Sequence, residues 1–340
     1  MSRYEELKKI LKEHRYFKIV CGAGNEDCDE VYKLSLIYTL AGALGIDVSA
    51  NVEVVKSSIR GINKAFELAP RLGKRIKEKP FVNVSIGMKG DPHIRKAVID
   101  PDFCIQCGVC VENCLQKAIS AEYKVIEKRC IGCGECARNC TAGAVKFFDK
   151  RNELKKILPE CLRNGVETLE LHAITADDQS VMEDWRLMND ILPDNFISMC
   201  LDRSQLSDAH LVKRIEAARE VTGERLIIQA DGVPMSGGRD DYNTTLQAIA
   251  ISDIIRKNNI QAMLLASGGT NSRSGRLANL CGVKINGVAV GTFARKTVSR
   301  YLREVDLILD MDLFSRAVSA AERLISSNLK EIGSGRFKDQ

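Results

Sequence analysis

The sequence predicts an α/β protein, a parallel barrel of eight βα units broken after its third strand by a small cysteine-rich module. Three observations carry that prediction. Short apolar runs alternate with helix-period segments along the chain. Eight of the thirteen cysteines lie between positions 104 and 140, and glycine-bearing loops follow the last two apolar runs. With 340 residues, 45% of them hydrophobic and 28% charged, the chain can bury a large core beneath a polar surface.

The opening "MSRYEELKKILKEH" reads as an amphipathic helix with charges of both signs. It lacks the apolar stretch of a secretion signal, so a cytoplasmic protein is expected. No apolar run reaches the roughly 20 residues that a membrane helix needs, and no membrane insertion is expected. Candidate strands follow at 17–22, 46–51, 81–87, 167–173, 196–202, 226–231, 262–267 and 288–291. Periodic segments such as "DEVYKLSLIYTLAGA", "DAHLVKRIEAAREVTG" and "TTLQAIAISDIIRKNN" lie between them. Eight such units suit a TIM-like (β/α)8 barrel, with a doubly wound open sheet as the alternative. The expected division is 1–98 for strands one to three, 99–149 for the insert, 150–328 for strands four to eight, and 329–340 for a polar tail.

The cysteines explain the insert. "CIQCGVCVENC" from Cys104 returns as "CIGCGECARNC" from Cys130, each cysteine answered 26 positions later. The spacing C-x2-C-x2-C-x3-C, twice, is that of a bacterial two-cluster ferredoxin, in which the fourth cysteine of each run ligates the other cluster. Cys104, Cys107, Cys110 and Cys140 are therefore expected to hold one [4Fe-4S] cluster, and Cys130, Cys133, Cys136 and Cys114 the second. Zinc is the competing use, but structural zinc sites take two separated cysteine pairs rather than a run of four. Leu115 and Thr141 stand where this pattern usually carries proline. From Asp102 to Lys150 there are six acidic and seven basic residues, so the module is nearly neutral, as suits one built into a larger body.

The predicted strands carry polar groups at every second position: Lys18; Asp47, Ser49, Asn51; Asn83, Ser85; Glu170, His172; Ser198, Cys200, Asp202; Gln229, Asp231. In a barrel the apolar set must face the helices, so the polar set points into the lumen. Buried there, these groups must be paired or wet, and Lys18 is the counter-charge for Asp47, Glu170 or Asp231. A self-satisfied buried network is one reading and a ligand pocket the other. Lys18, Glu170 and His172 are the candidate catalytic groups, with His172 and Glu170 the acid/base pair. Cys21 and Cys200, near the strand ends, are candidate redox-active thiols.

Glycine loops after strands seven and eight commonly bind phosphate in such barrels, through backbone N–H groups at a helix start. Here Gly268, Gly269, Thr270, Gly291 and Thr292 occupy those loops, with Arg273, Arg276, Arg295 and Lys296 as supporting charge. Two tight turns with no ligand are the plainer reading. The loop "QADGVPMSGGRDDYNTT" is expected to lie over the same face as a lid. A formal charge of +5 spread along the chain, with one tryptophan, gives no basic stripe with interleaved aromatics, so nucleic acid is not an expected partner.

Taken together, "FKIVCGAG", "YTLAGALGIDVSAN", the two cysteine runs, "QADGVPMSGG" and "GTFARK" resemble the LdpA family, the light-dependent-period iron–sulfur proteins, over about residues 10 to 320. The resemblance implies two [4Fe-4S] clusters and a role in electron transfer or redox sensing, but no particular reaction. An electron-donor or acceptor protein is the expected partner. The alternative is an iron–sulfur oxidoreductase that feeds electrons to a flavin or other phosphorylated small molecule at the barrel mouth.

Overall fold

The computed structural model describes residues 1–88, 91, 94–150, 153–233, 239–302, 308 and 310–333. In chain order the strands are β1 (Tyr16–Val20), β2 (Gly45–Ser49), β3 (Phe81–Gly87), β4 (Arg95–Ile99), β5 (Val145–Asp149), β6 (Thr168–His172), β7 (Ile197–Leu201), β8 (Leu226–Asp231), β9 (Met263–Ser267) and β10 (Gly287–Val290). The helices are α1 (Arg3–Lys12), α2 (Cys28–Leu40), α3 (Val52–Leu68), α4 (Val109–Glu112), α5 (Glu135–Arg138), α6 (Leu154–Arg163), α7 (Asp178–Ile191), α8 (Asp208–Thr222), α9 (Asn243–Lys257), α10 (Ser274–Leu280), α11 (Thr292–Leu302) and α12 (Met311–Gly333).

Eight parallel strands close in the order β1-β10-β9-β8-β7-β6-β3-β2. The pairing of Phe17 with Val288 joins the first strand to the last and excludes the open sheet. All eight predicted barrel strands form, most of them a residue or two shorter than expected because their ends turn into loops. The apolar positions between the polar ones pack outward against the helices: Phe17, Ile19, Ile46, Val48, Val82, Val84, Leu169, Leu171, Met199 and Ile228 all belong to one core cluster. Helix starts are locally encoded, since Ser2, Asp27, Asn51, Asp177 and Ser207 each accept a backbone N–H of the first turn.

The amphipathic start of the chain closes the barrel floor. Leu7, Ile10 and Leu11 of α1 pack against Tyr16, Phe81, Phe196 and Leu265 at the N-terminal ends of the strands. Tyr4 stacks on Phe196 at 4.9 Å, and the Arg3 guanidinium lies 3.6 Å above the Phe81 ring. A plugged floor leaves ligand access to the opposite, C-terminal face.

Between β3 and β6 the chain leaves the barrel and forms a two-stranded antiparallel sheet, β4 against β5, with Ala97 opposite Phe147. The sheet begins at Arg95, so residues 95–98 belong with the insert rather than with the first barrel segment; among the described residues the strand pairs with β5, far along the chain, which local pattern does not reveal. At the other end α12 runs through Gly333, with Ile332 buried, and so continues past the boundary expected at 328. The positions 334–340 of the expected tail, and 234–238 of the expected lid, lie outside the described residues.

The insert is tied to the loop after β1. Lys96, 2% exposed, donates to the carbonyls of Gly24 (2.7 Å), Cys130 (2.8 Å) and Glu127 (3.1 Å). Lys150 bridges Glu26 and Glu127, Arg129 pairs with Asp27 at 2.9 Å, and the Glu26 amide reaches the Lys128 carbonyl at 2.7 Å.

Candidate functional site

The thirteen cysteines are free thiols, and eight of them form two cages. Cys104, Cys107, Cys110 and Cys140 line one small pocket, while Cys114, Cys130, Cys133 and Cys136 line another. These are the two sets expected from the crossed rule, each taking one cysteine from the opposite run. The 26-residue repeat extends to the backbone. Gln106 and Gly132, Gly108 and Gly134, and Lys117 and Gly143 all have positive φ, and α4 and α5 repeat at the same offset. Glycine is the residue that adopts this conformation without strain, and the second run supplies it at all three positions.

Backbone amides point at the sulfurs. The Ala118 amide lies 3.2 Å from Cys114 Sγ, and the Ala144 amide lies 3.4 Å from Cys140 Sγ, a matched pair; Ala97 serves Cys130 at 3.4 Å. Amide donors of this kind stabilise the negative charge of cluster sulfur. Leu115 and Thr141, at the positions where proline is usual, sit in turns closed by hydrogen bonds from Lys117 N to Cys114 O and from Gly143 N to Cys140 O. Four thiols with amides aimed at them fit a cuboidal iron–sulfur cluster in each cage.

At the C-terminal end of the barrel lies a cavity of about 400 Å3. Glu170, His172 and Asp231 line its floor, and Gly268, Gly269, Thr270, Gly291 and Thr292 line one side. The insert roofs it with Arg95, Ile131, Cys133 and Arg138. Cys133 thus belongs to both walls: it lines the second cage and the barrel cavity.

Beneath the cavity the polar strand positions form one connected network. Lys18 Nζ is ion-paired to Glu170 Oε2, an oxygen that also accepts from Asn83 (3.1 Å) and Ser198 (3.3 Å). Asn83 and Ser85 both donate to Asp47 Oδ1, Thr168 donates to Asn83 at 2.9 Å, and Gln229 donates to Ser198 at 3.3 Å. His172 sits between two carboxylates, Nδ1 at 3.0 Å from Asp91 and Nε2 at 3.3 Å from Glu170. Of the expected partners for Lys18, the structure selects Glu170. Asn51 leaves the lumen set, capping α3 and bonding Glu26, whereas Asp202 lines the cavity and accepts from the Ser204 amide.

Charge in this network is set by burial and by neighbours. Burial disfavours the Lys18 ammonium, but the Glu170 and Asp47 carboxylates outweigh it and hold its pKa above the ordinary lysine value. Glu170 is likewise penalised by burial and yet held well below the usual carboxylate range by Lys18 and His172. His172 is raised well above the usual imidazole value, Asp91 and Glu170 overcoming its burial. Asp47 goes the other way, pushed up to about 6 by burial and by the Glu170 charge. Burial also pushes the Cys21 and Cys200 thiols up, Cys200 further so beside Asp231, so neither has the lowered pKa of a reactive thiolate.

Residues 161–327 match the Light dependent period A C-terminal domain, and residues 97–120 match the 4Fe-4S binding domain. The chain is thus similar to the light-dependent-period A family, most directly over residues 161–327. It is an iron–sulfur protein of the 4Fe-4S type. The "Light dependent period A" protein of Synechococcus elongatus is 28% identical over 342 residues, covering 96% of this chain and 94% of that one. Among solved structures, the YdjI aldolase from Escherichia coli K12 is similar with a TM-score of 0.47 at 7% identity, covering 97% and 96% of the two chains. The aldolase QR15 (0.42, 11%, covering 86% and 97%) and the thiamine phosphate pyrophosphorylase from Pyrococcus furiosus (0.39, 10%, covering 92% and 98%) are more distant. Likeness at that level carries no argument about chemistry.

The glycine loops after β9 and β10 do face the cavity, and Gly268 and Gly269 adopt positive φ of 52° and 70°. Of the four basic residues expected to help, Arg295 lines the cavity; Arg273 stacks instead over Tyr242 and reaches toward Asp240. Arg295 is 6% exposed, donates to the Val20 and Cys21 carbonyls at 3.0 Å each, and keeps an Nε with no partner among the described residues. The Thr270 hydroxyl is spent on the Ala289 carbonyl. Sequence reasoning missed Arg95, Arg138 and Asp91, which come from outside the barrel strands. No helix among the described residues is long and apolar enough to cross a membrane.

Proposed function

We propose that this protein acts in electron transfer, receiving electrons at the first cage and passing them by way of the second to an acceptor seated in the barrel mouth. Two [4Fe-4S] clusters, held by Cys104, Cys107, Cys110 and Cys140 and by Cys114, Cys130, Cys133 and Cys136, would supply one-electron transfer. The observation that carries the reading is Cys133, shared by the second cage and the cavity wall. An electron-donor protein would approach the other cage, where Phe103 and Ile105 are 59% and 66% exposed.

The cavity suits an acceptor with a phosphate at one end, such as a flavin or another phosphorylated small molecule. Gly268, Gly269, Gly291 and Thr292 at the start of α11 offer backbone N–H groups, and Arg295 supplies charge that burial makes costly without an anion. Glu170 and His172 face the acceptor's other end, with Lys18 behind Glu170 holding that carboxylate in place. Redox sensing is the second reading, favoured by Lys96, which joins the Cys130 carbonyl to the loop after β1 and so links one cage to the barrel.

The test is a purification without oxygen, followed by iron and sulfide assay and mass spectrometry of released small molecules. About eight irons and a phosphorylated ligand are expected, with Arg295→Gln keeping the iron and losing the ligand. Full iron, no ligand, and reduced clusters that no flavin reoxidises would remove the acceptor and leave sensing.

A further inference from the structure

Asp231 presents an unexplained oxygen. The residue is 4% exposed and lines the cavity floor, its Oδ2 is met by the Cys200 thiol at 2.8 Å, and its Oδ1 has no partner among the described residues. Burial pushes the Asp231 carboxyl up to about 6, with the Cys200 thiol and Ser267 as its polar neighbours; a buried carboxylate so weakly satisfied either keeps a proton or meets a cation.

The surroundings supply the rest of a coordination shell. Glu170 Oε2 is occupied by Lys18, Asn83 and Ser198, which turns Oε1 toward His172 Nε2. One ligand atom each from Glu170, His172 and Cys200 lies within 4.8 Å of the others, all three residues buried. The strands place them: Glu170 and His172 are two apart on β6, Cys200 is the register partner of His172 on β7, and Asp231 ends β8. On its far side His172 Nδ1 meets Asp91 at 3.0 Å, the carboxylate–histidine arrangement that orients an imidazole for a metal.

We propose that Glu170, His172, Cys200 and Asp231 form a binding site for one divalent transition-metal ion of the zinc class in the barrel lumen. Ligand atoms about 2.0–2.3 Å from such an ion in a tetrahedron stand about 3.3–3.8 Å apart, so the Glu170, His172 and Cys200 atoms need to close by about an ångström at their widest, and the Asp231 carboxylate, outside that group of three, must swing in to complete the shell. The mixture of imidazole nitrogen, thiolate and carboxylate suits Zn2+ or Fe2+; magnesium and calcium prefer oxygen alone. Binding displaces the Cys200 thiol proton and any proton on His172 Nε2 to solvent. The site is separate from the two cysteine cages and stands whether or not an acceptor binds the mouth.

The test uses the cluster-containing protein, stripped with a mild chelator and dialysed against zinc without oxygen. One zinc per chain is expected beyond the cluster iron, with an X-ray absorption spectrum showing one sulfur among nitrogen and oxygen neighbours. Cys200→Ser should weaken zinc binding at least about tenfold, and Asp91→Asn, which spares every ligand, about 10- to 100-fold, both at unchanged iron content and circular dichroism. Absence of zinc binding, a shell of four sulfurs, or equal affinity in the wild type and Asp91→Asn would overturn the proposal. The reading of the mouth as an acceptor site is judged separately, by the released-ligand assay.

Discussion

The cysteine insert and the barrel lumen solve the same problem, holding charge away from water, by opposite means. In the insert the eight thiols are spaced within 37 residues and the backbone repeats itself, so nearly every group is placed by chain neighbours. In the lumen Lys18 meets Glu170 across 152 positions, and His172 meets Asp91 across 81. Local spacing builds a site that tolerates change elsewhere. Long-range pairing builds one whose members depend on each other.

The sharpest way to break the contrast is at the cages. Cys136→Ala should leave about half of the roughly eight irons and retain the barrel, seen by iron assay with circular dichroism. Cys114→Ser should remove the second cluster rather than the first, although it lies in the first run; loss of the first cluster's spectroscopic signal instead would overturn the crossed assignment. In the lumen, Lys18→Met strands a buried Glu170 carboxylate. A loss of about 3–5 kcal/mol in denaturant unfolding is expected, most of it regained in Lys18→Met with Glu170→Gln. A single-mutant loss below about 1 kcal/mol would mean that the pair is wet and weak.

Asp47 tests the same network by pH. Its folded pKa of about 6 lies above the ordinary 3.8, so the native state holds a proton that the unfolded chain has released. The stability this contributes is complete below about pH 4 and lost as pH rises through 6. Asp47→Asn should flatten the unfolding curve across that window. The smallest effect is expected at Arg129, whose side chain is 45% exposed where it pairs with Asp27. Arg129→Ala should cost under about 1 kcal/mol and leave the iron in place.

The sequence by itself determined the eight barrel strands, most of the inward polar set and the spacing that lets two groups of four cysteines converge. Each is a short-range property: period-two alternation decides which face is buried, and thiol spacing decides which sulfurs converge. It marked the glycine loops for the same reason, since positive φ at Gly268 and Gly269 is a local demand. Only the tertiary structure decided that α1 plugs the floor, that Arg295 rather than Arg273 reaches the cavity, and that Glu170 rather than Asp47 takes Lys18. It alone brought Asp91 to His172, and Arg95, Arg138 and Cys133 to the roof of the mouth. Those residues stand on elements whose partners lie far along the chain. Docking of the insert on the loop after β1, through Lys96, Lys150 and Arg129, is what aims one cage at the barrel. No periodicity encodes that docking, because it is a fit between two surfaces.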